Sequence, residues 1–173
     1  MHQLRDKLVF HTSDLAWGLR RVFFGLFLKV ILADNIAPLV DSGFAISISQ
    51  MSAIDVWTLS FLFGFQIYFD FSAYSHIAIG SARMLGIRFP ENFNFPYASS
   101  SPRDFWKRWH ISLSSWIRDY LYLPLAGISL KQGGNSEGGL VSAITQTTKD
   151  KALIATWAIM GLWHGANWTF VIW

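Results

Sequence analysis

The run ALIATWAIMGLWHGANWTFVIW, residues 152–173, decides how the rest of the chain is interpreted. It contains no Asp, Glu, Lys or Arg, and His164 is its one ionisable side chain. As a helix it would extend about 33 Å at about 1.5 Å per residue, enough to cross the roughly 30 Å hydrocarbon core of a bilayer. The run therefore predicts a membrane-spanning helix that carries a histidine.

The composition of the whole chain also indicates an integral membrane protein. Of its 173 residues 52% are hydrophobic and only 14% are charged, whereas soluble domains carry about 25% charged residues. The chain has no cysteine, which excludes disulfides and thiolate zinc sites. Its net charge of +3 is concentrated near the N-terminus, a pattern that favours a role in membrane orientation over nucleic-acid binding.

We predict an all-α integral membrane protein, a bundle of transmembrane helices with re-entrant or amphipathic helices, in one partial domain over residues 1–173. The predicted segments are a helix at about 15–33, one long or two short helices at about 56–82, an amphipathic helix at about 102–122, a polar loop at 131–150 and a helix at 152–173. Because the last apolar run reaches Trp173 with no capping residue after it, we expect a fragment of a longer protein.

The first predicted helix has recognisable end signals. Residues 12–14 (Thr-Ser-Asp) offer N-cap candidates, and the proline and glycine within 38–43 predict a loop after the helix. Three basic residues, Arg20, Arg21 and Lys29, make it a poor simple span. We therefore expect a tilted, interfacial or protein-buried helix.

Segment 102–122 has the clearest helical periodicity. Ser101 is the expected N-cap before Pro102, and Asp104 can accept the reciprocal capping bond. At about 100° per residue, one narrow face is polar and the opposite side is aromatic. The polar face consists of Arg103, Lys107, His110, Ser114 and Arg118. This face suits contact with anionic headgroups, but two neighbouring cations would also lower the pKa of His110 and favour the neutral imidazole that a general base requires.

His164 has two interpretations. Polar groups at membrane depth usually face a cavity or a partner, and Asn167, three residues on, could orient the imidazole from the same helix face. Gly161 and Gly165 form a small-xxx-small pair that allows close helix approach, and Trp168 would form a wall of the site. These residues fit an interhelical hydrogen bond as well as they fit a functional site.

Other chemistry has weak signals. There is no HExxH and no close cluster of His, Asp and Glu, so we expect no metal site. The serines after His110 lack the G-x-S-x-G context of a serine nucleophile.

Two segments, FWKRWHISLSSWIRDYLYLPL (105–125) and GLWHGANWTFVIW (161–173), resemble the signature segments of the membrane-bound O-acyltransferase family, in its bacterial alginate-acetylation branch. The stretch IYFDFSAYSHIAIGSARMLGIRFPENFNFPY (67–97) resembles the preceding block. Where relatives commonly read DFSGYSDIAIG, this chain reads DFSAYSHIAIG, which replaces a carboxylate with His76 and leaves the role of that position open.

The resemblance implies transfer of an acyl group, usually acetyl, from a thioester such as acetyl-CoA to a hydroxyl, with no bound cofactor. The family's catalytic histidine maps onto His164 and its second histidine onto His110. We expect His164 as general base and Asn167 as its orienter; a transient acyl-histidine is the alternative. The basic residues that suit coenzyme A phosphates, and anionic lipid equally well, are Lys107, Arg118 and Arg103.

The resemblance also implies a multi-pass protein of the bacterial inner membrane that moves acetyl groups toward an extracellular polysaccharide. Alginate is the first expected acceptor, with cellulose or peptidoglycan next, and a periplasmic acetyltransferase of the serine-hydrolase type is the expected partner. D-alanyl transfer to teichoic acid is a related alternative. From other classes, a non-catalytic transporter or channel subunit and a zinc-dependent hydrolase are the rivals, although no inverted repeat supports transport.

Overall fold

The computed structural model describes Gln3 and residues 11–128, 146–165 and 167–172. These residues form helices joined by turns and coil, and no strand occurs among them. The all-α class is therefore confirmed. The chain divides into two compact units, Met1–Asn94 and Phe95–Trp173.

The first unit opens with a helical segment in three parts. These are α1 (Thr12–Phe27), a π-helical stretch (Leu28–Ala33) and α2 (Asp34–Phe44). The loop predicted within 38–43 is wrong, because Pro38 lies inside α2. A proline removes one backbone donor from a helix. Three residues before Pro38, the Asn35 side chain donates to the Val30 and Ile31 carbonyl oxygens at 2.9 and 3.0 Å. These two carbonyls of the π-helical stretch therefore have a hydrogen-bond donor.

The continuous segment Thr12–Phe44 changes the expectation for a membrane span. In the part of the chain that the structure describes, it is the one helix long and apolar enough to cross a membrane, as judged from length and composition. The sequence had suggested a poor simple span because of its three basic residues. The continuation through α2 supplies apolar length that the predicted end near residue 33 left out.

Two of those basic residues are paired with carboxylates. Arg21 pairs with Glu91. Lys29 Nζ lies 2.9 Å from Asp34 Oδ1 and 2.6 Å from Asp70 Oδ1. Neighbouring carboxylates reduce the cost of placing a cation in an apolar segment.

The predicted N-cap of the first helix is also wrong. The helix begins directly after His11, whose side chain makes no capping bond. Asp14 instead accepts a hydrogen bond from Arg83 Nε at 2.6 Å, a residue at the far end of the next long helix. The Asp14 carboxylate therefore pairs with a residue far along the chain and does not cap α1, contrary to the prediction from the local sequence.

That next helix, α3 (Ala53–Met84), is a single element, which is one of the two alternatives for this region. Ser52 caps it: its hydroxyl accepts from the Asp55 backbone N–H at 3.3 Å, and the Asp55 carboxylate accepts from the Ser52 N–H at 2.9 Å. α3 packs along α1 at glycines. A Cβ added to Gly18 would lie 2.6 Å from the Gly80 carbonyl oxygen, so the two backbones are nearly in contact.

The second unit starts with coil that continues to Ser101 apart from a 3-10 turn at Pro96–Ala98. The helices that follow are α4 (Pro102–Arg108), α5 (Ile111–Ile117), a π-helical stretch (Arg118–Tyr122), α6 (Leu123–Leu125), α7 (Gln146–His164) and α8 (Trp168–Ile172). The Ser101 cap is confirmed, since its hydroxyl accepts from the Asp104 N–H at 3.1 Å. The reciprocal bond goes one residue earlier, to the Ser100 N–H at 3.4 Å.

Three predicted boundaries in this unit are wrong. The amphipathic helix at 102–122 is interrupted at Trp109 and His110, and the helix at 152–173 stops at His164. The polar loop at 131–150 ends early, because α7 already begins at Gln146. The remainder of that loop falls outside the described residues.

Candidate active site

His110 lies at the break between α4 and α5. Trp109 is extended, with φ −101° and ψ 127°, and His110 is left-handed, with φ 41° and ψ 57°. For a residue with a Cβ, the left-handed region costs about 1–2 kcal/mol. Strained backbone of this kind clusters at active sites, so the backbone geometry makes His110 a candidate functional residue. The helix before the break has seven residues, about 10 Å of length. The continuous helical segment after it, residues 111–125, extends about 22 Å. Both are shorter than the roughly 30 Å hydrocarbon core of a bilayer.

The break divides the polar face that the sequence predicted as continuous. Arg103 and Lys107 belong to α4 and are exposed, whereas Ser114 belongs to α5 and Arg118 begins the following π-helical stretch. Arg118 Nε donates to Asp119 Oδ1 at 2.7 Å, so part of its charge is already compensated. No local signal reports the break, because the aromatic and polar periodicity runs through it undisturbed.

His164 is the last residue of α7 and is exposed. The Trp163 ring meets its imidazole edge-on, with the ring centroids 5.0 Å apart. Seven residues earlier, Trp157 makes a T-shaped contact with Trp106 of α4 at 5.2 Å. Residues seven apart share one face of a helix at 3.6 residues per turn, so the face of α7 that meets α4 is also the face of His164.

The two histidines interact electrostatically. Burial lowers the pKa of His110, and the neighbouring His164 lowers it further. The direction matches the prediction from sequence, but the cause differs, since the predicted source was the pair of cations on the same helix face. A lowered pKa keeps the imidazole neutral at neutral pH, the form that accepts a proton. The structure thus brings together two residues that the sequence separates widely.

Asn167 has a different position from the one predicted. The α7 helix ends before it, so the shared helix face that placed it beside His164 does not exist. Its Oδ1 accepts from the Thr169 N–H at 3.3 Å at the start of α8. Trp168 is 78% exposed and does not form the expected wall. The role of Asn167 as an orienter of His164 stays a prediction.

The glycine pair is likewise split. Gly161 is buried within α7, whereas Gly165 follows the helix end, and a Cβ added there would lie 2.6 Å from the Phe170 ring. The absence of a side chain at Gly165 therefore lets the Phe170 ring of α8 pack directly against the backbone that follows α7.

Other polar residues lie outside this pair. Among the described residues no group of three His, Asp or Glu side chains is placed to hold a metal ion. In the first unit, the His76 ring packs edge-on against Phe24 with centroids 4.9 Å apart. Its Nδ1 is buried with no hydrogen-bond partner among the described residues. Nothing in the structure assigns it a role.

Comparison with known proteins identifies close relatives. The chain matches the membrane-bound O-acyltransferase family over residues 1–173. It is 48% identical over 164 residues to the probable alginate O-acetylase AlgI of Azotobacter vinelandii and 42% identical over 175 residues to the peptidoglycan O-acetyltransferase of Helicobacter pylori. These alignments cover 94% and 100% of this chain and 30% of each relative.

A more distant relative carries a different name. The teichoic acid D-alanyltransferase of Streptococcus thermophilus is 30% identical over 170 residues, which is 96% of this chain and 39% of that protein. The chain thus spans less than half of the length of these three curated relatives.

Proposed function

The chain belongs to the membrane-bound O-acyltransferase family, and from that premise we propose that it carries the catalytic histidines of a membrane O-acetyltransferase. The acyl group would be acetyl, and the acceptor would be a hydroxyl of an extracellular, alginate-like polysaccharide. The relatives named for alginate and peptidoglycan acetylation support acetyl over D-alanyl, because they share more identity with the chain than the D-alanyltransferase does.

One observation carries the proposal: His110 and His164 lie close enough for one to lower the pKa of the other. Two histidines from separate helices, one of them on strained backbone, are costly to assemble for packing alone. Acyl transfer to an alcohol needs such a pair, because one group must take the hydroxyl proton while the carbonyl is polarised.

The reaction follows from these roles. The acceptor hydroxyl attacks the thioester carbonyl as its proton passes to the His164 imidazole. The C–S bond then breaks, an ester forms, and the thiolate leaving group takes up the proton. General base catalysis of this type typically contributes about 10²–10⁴-fold. His110, held neutral, would polarise the carbonyl or assist proton transfer.

We propose acetyl-CoA as the donor. Arg103 and Lys107 are exposed cations on α4, the helix that leads into His110, and they suit phosphate contacts. Arg118 suits this role less well because Asp119 compensates it. In this scheme acetyl-CoA is cytoplasmic and the protein is a multi-pass component of the inner membrane. The acetyl group passes either directly to the polymer hydroxyl or first to a periplasmic acetyltransferase that delivers it to the polymer.

The test is the substitution His164→Gln in the protein as the cell makes it, in its native membrane with its partners. Glutamine keeps hydrogen bonding but is not a useful base, so we expect acetate released from the exopolysaccharide by mild alkali to fall at least about 10²-fold. His11→Gln is the matched control, because His11 is exposed and its side chain makes no capping bond.

Protein amounts in the membrane are compared for each variant. Near-normal acetylation in the His164→Gln protein would mean that His164 only packs helices, as the transporter interpretation requires. Loss of acetate from peptidoglycan instead of exopolysaccharide would keep the chemistry and correct the acceptor.

A further inference from the structure

Ser114 donates hydrogen bonds to the carbonyl oxygens of the two peptide groups on either side of the His110 Cα. Its N–H donates to the His110 carbonyl oxygen at 3.0 Å. Its hydroxyl donates to the Trp109 carbonyl oxygen at 3.1 Å, five residues back along the chain. One residue thus bonds to the peptide units on either side of the left-handed residue.

This second bond is unusual for a helical serine. A serine inside a helix commonly bonds to the carbonyl four residues back, and the next residue, Ser115, does so to Ile111 at 2.8 Å. Ser114 reaches across the break because the left-handed backbone at His110 brings the Trp109 carbonyl within range. The hydroxyl therefore bonds to a group that lies outside α5, on the chain that enters the break.

We propose that Ser114 is a positioning residue that keeps the His110 imidazole beside His164. The inference rests on the proposed function, since it needs His110 to take part in acyl transfer. A left-handed histidine is under strain, and the bond from the Ser114 hydroxyl to the Trp109 carbonyl is a side-chain contact that restrains the preceding peptide. Without the hydroxyl, His110 can relax toward an ordinary backbone conformation, which moves its ring.

A small displacement has a large kinetic effect. A shift of about 1 Å in a catalytic group can lower the rate about 10²-fold, because reacting atoms must approach within a narrow range. Arg103 and Lys107, the proposed phosphate contacts, take no part in this bond. We therefore expect a loss in kcat with little change in the KM for the acyl donor.

The experiment compares Ser114→Ala, Ser114→Thr, Ser115→Ala and His110→Gln in membranes that contain the complete protein and its partners. Acetyl transfer from radiolabelled acetyl-CoA to polymer is measured per amount of membrane-resident protein. We expect Ser114→Ala to lower kcat about 10- to 100-fold. Threonine keeps the hydroxyl and should restore most of the rate. Ser115→Ala, which removes an ordinary serine-to-backbone bond, should retain nearly full activity.

The outcomes separate this inference from the proposed function. If His110→Gln is inactive while Ser114→Ala is as active as Ser115→Ala, the positioning role is wrong and the function stands. If His110→Gln is fully active, His110 has no catalytic part and the positioning role is also wrong. If Ser114→Ala does not accumulate, Ser114→Cys replaces it, since a thiol is a weak donor of similar size; full activity of that variant would overturn the inference.

Discussion

The most informative single residue is His110, whose backbone and ionisation are both set by its surroundings. Its left-handed conformation is one of two such cases among the described non-glycine residues, with Phe95 as the other. Histidine enters this region more readily than most residues, which makes the position available to an imidazole. Its lowered pKa has burial as the first cause and His164 as the second.

A direct prediction concerns the His110–His164 interaction. In the wild-type protein we expect the imidazole of His110 to titrate below the ordinary value of about 6.5. Replacing His164 with glutamine removes the neighbouring ionisable imidazole, so the pKa of His110 should rise while staying lowered by burial. NMR of protein with isotopically labelled histidine, titrated in nanodiscs, measures this.

His11→Gln provides the comparison, since burial and His164, and not His11, lower the pKa of His110. An unchanged His110 midpoint in the His164→Gln protein would show that the two imidazoles are too far apart to interact. That result would remove the observation on which the proposed function depends.

At the scale of elements, the contact between α1 and α3 depends on backbone proximity. Gly18 and Gly80 face each other, and a Cβ on either would lie 2.6–2.7 Å from the other's carbonyl oxygen. Small residues at such positions allow helices in membranes to approach closely and gain van der Waals contact. The Arg83–Asp14 ion pair, at 2.6 Å, fixes the same contact near the start of α1.

We predict that Gly18→Ala destabilises the protein. Alanine is the better helix former by about 1 kcal/mol, but overpacking costs about 1–3 kcal/mol, and backbone atoms of α3 cannot move aside as a side chain can. The thermal midpoint in detergent and the amount of folded protein in membranes should both fall.

The matched variant is Gly43→Ala in α2. The three atoms nearest to a Cβ there all belong to the Leu59 side chain, which can move aside, so we expect a midpoint equal to or above that of the wild type. A stable Gly18→Ala protein would indicate that α1 and α3 can separate without cost.

At the scale of the whole molecule, the segment Thr12–Phe44 relates the chain to the membrane. Its 33 residues extend about 50 Å, more than the roughly 30 Å hydrocarbon core. The basic residues near the N-terminus favour a cytoplasmic position for that end. We therefore predict that residues at the two ends of this segment lie on opposite sides of the membrane.

The absence of cysteine in this chain makes the test direct. Single substitutions His11→Cys and Ala45→Cys, in a background without other cysteines, are labelled with a membrane-impermeant maleimide in intact and permeabilised cells. We expect Ala45→Cys to react in intact cells and His11→Cys only after permeabilisation. Reaction of both from the same side would place the segment along the membrane surface.

Local sequence was sufficient where the governing energies are local. The coil up to Ser101 follows from its prolines and asparagines, and the Ser101 cap follows from the short-range bond that a serine makes at a helix start. The all-α class follows from composition, and the histidines were found from the two family motifs. Such features depend on residues a few positions apart, so they can be predicted before any fold is known.

Two helix ends and one ion pair could be identified only from the tertiary structure. The interruption at His110 and the helix end at His164 place backbone in conformations that local periodicity disfavours. Likewise, the Asp14 carboxylate accepts from Arg83 and does not form the predicted cap. For Asp14 the lost cap is replaced by an ion pair with a residue far along the chain. The sequence by itself therefore determined the family and the candidate histidines, whereas only the fold brings His164 near enough to His110 to influence its pKa.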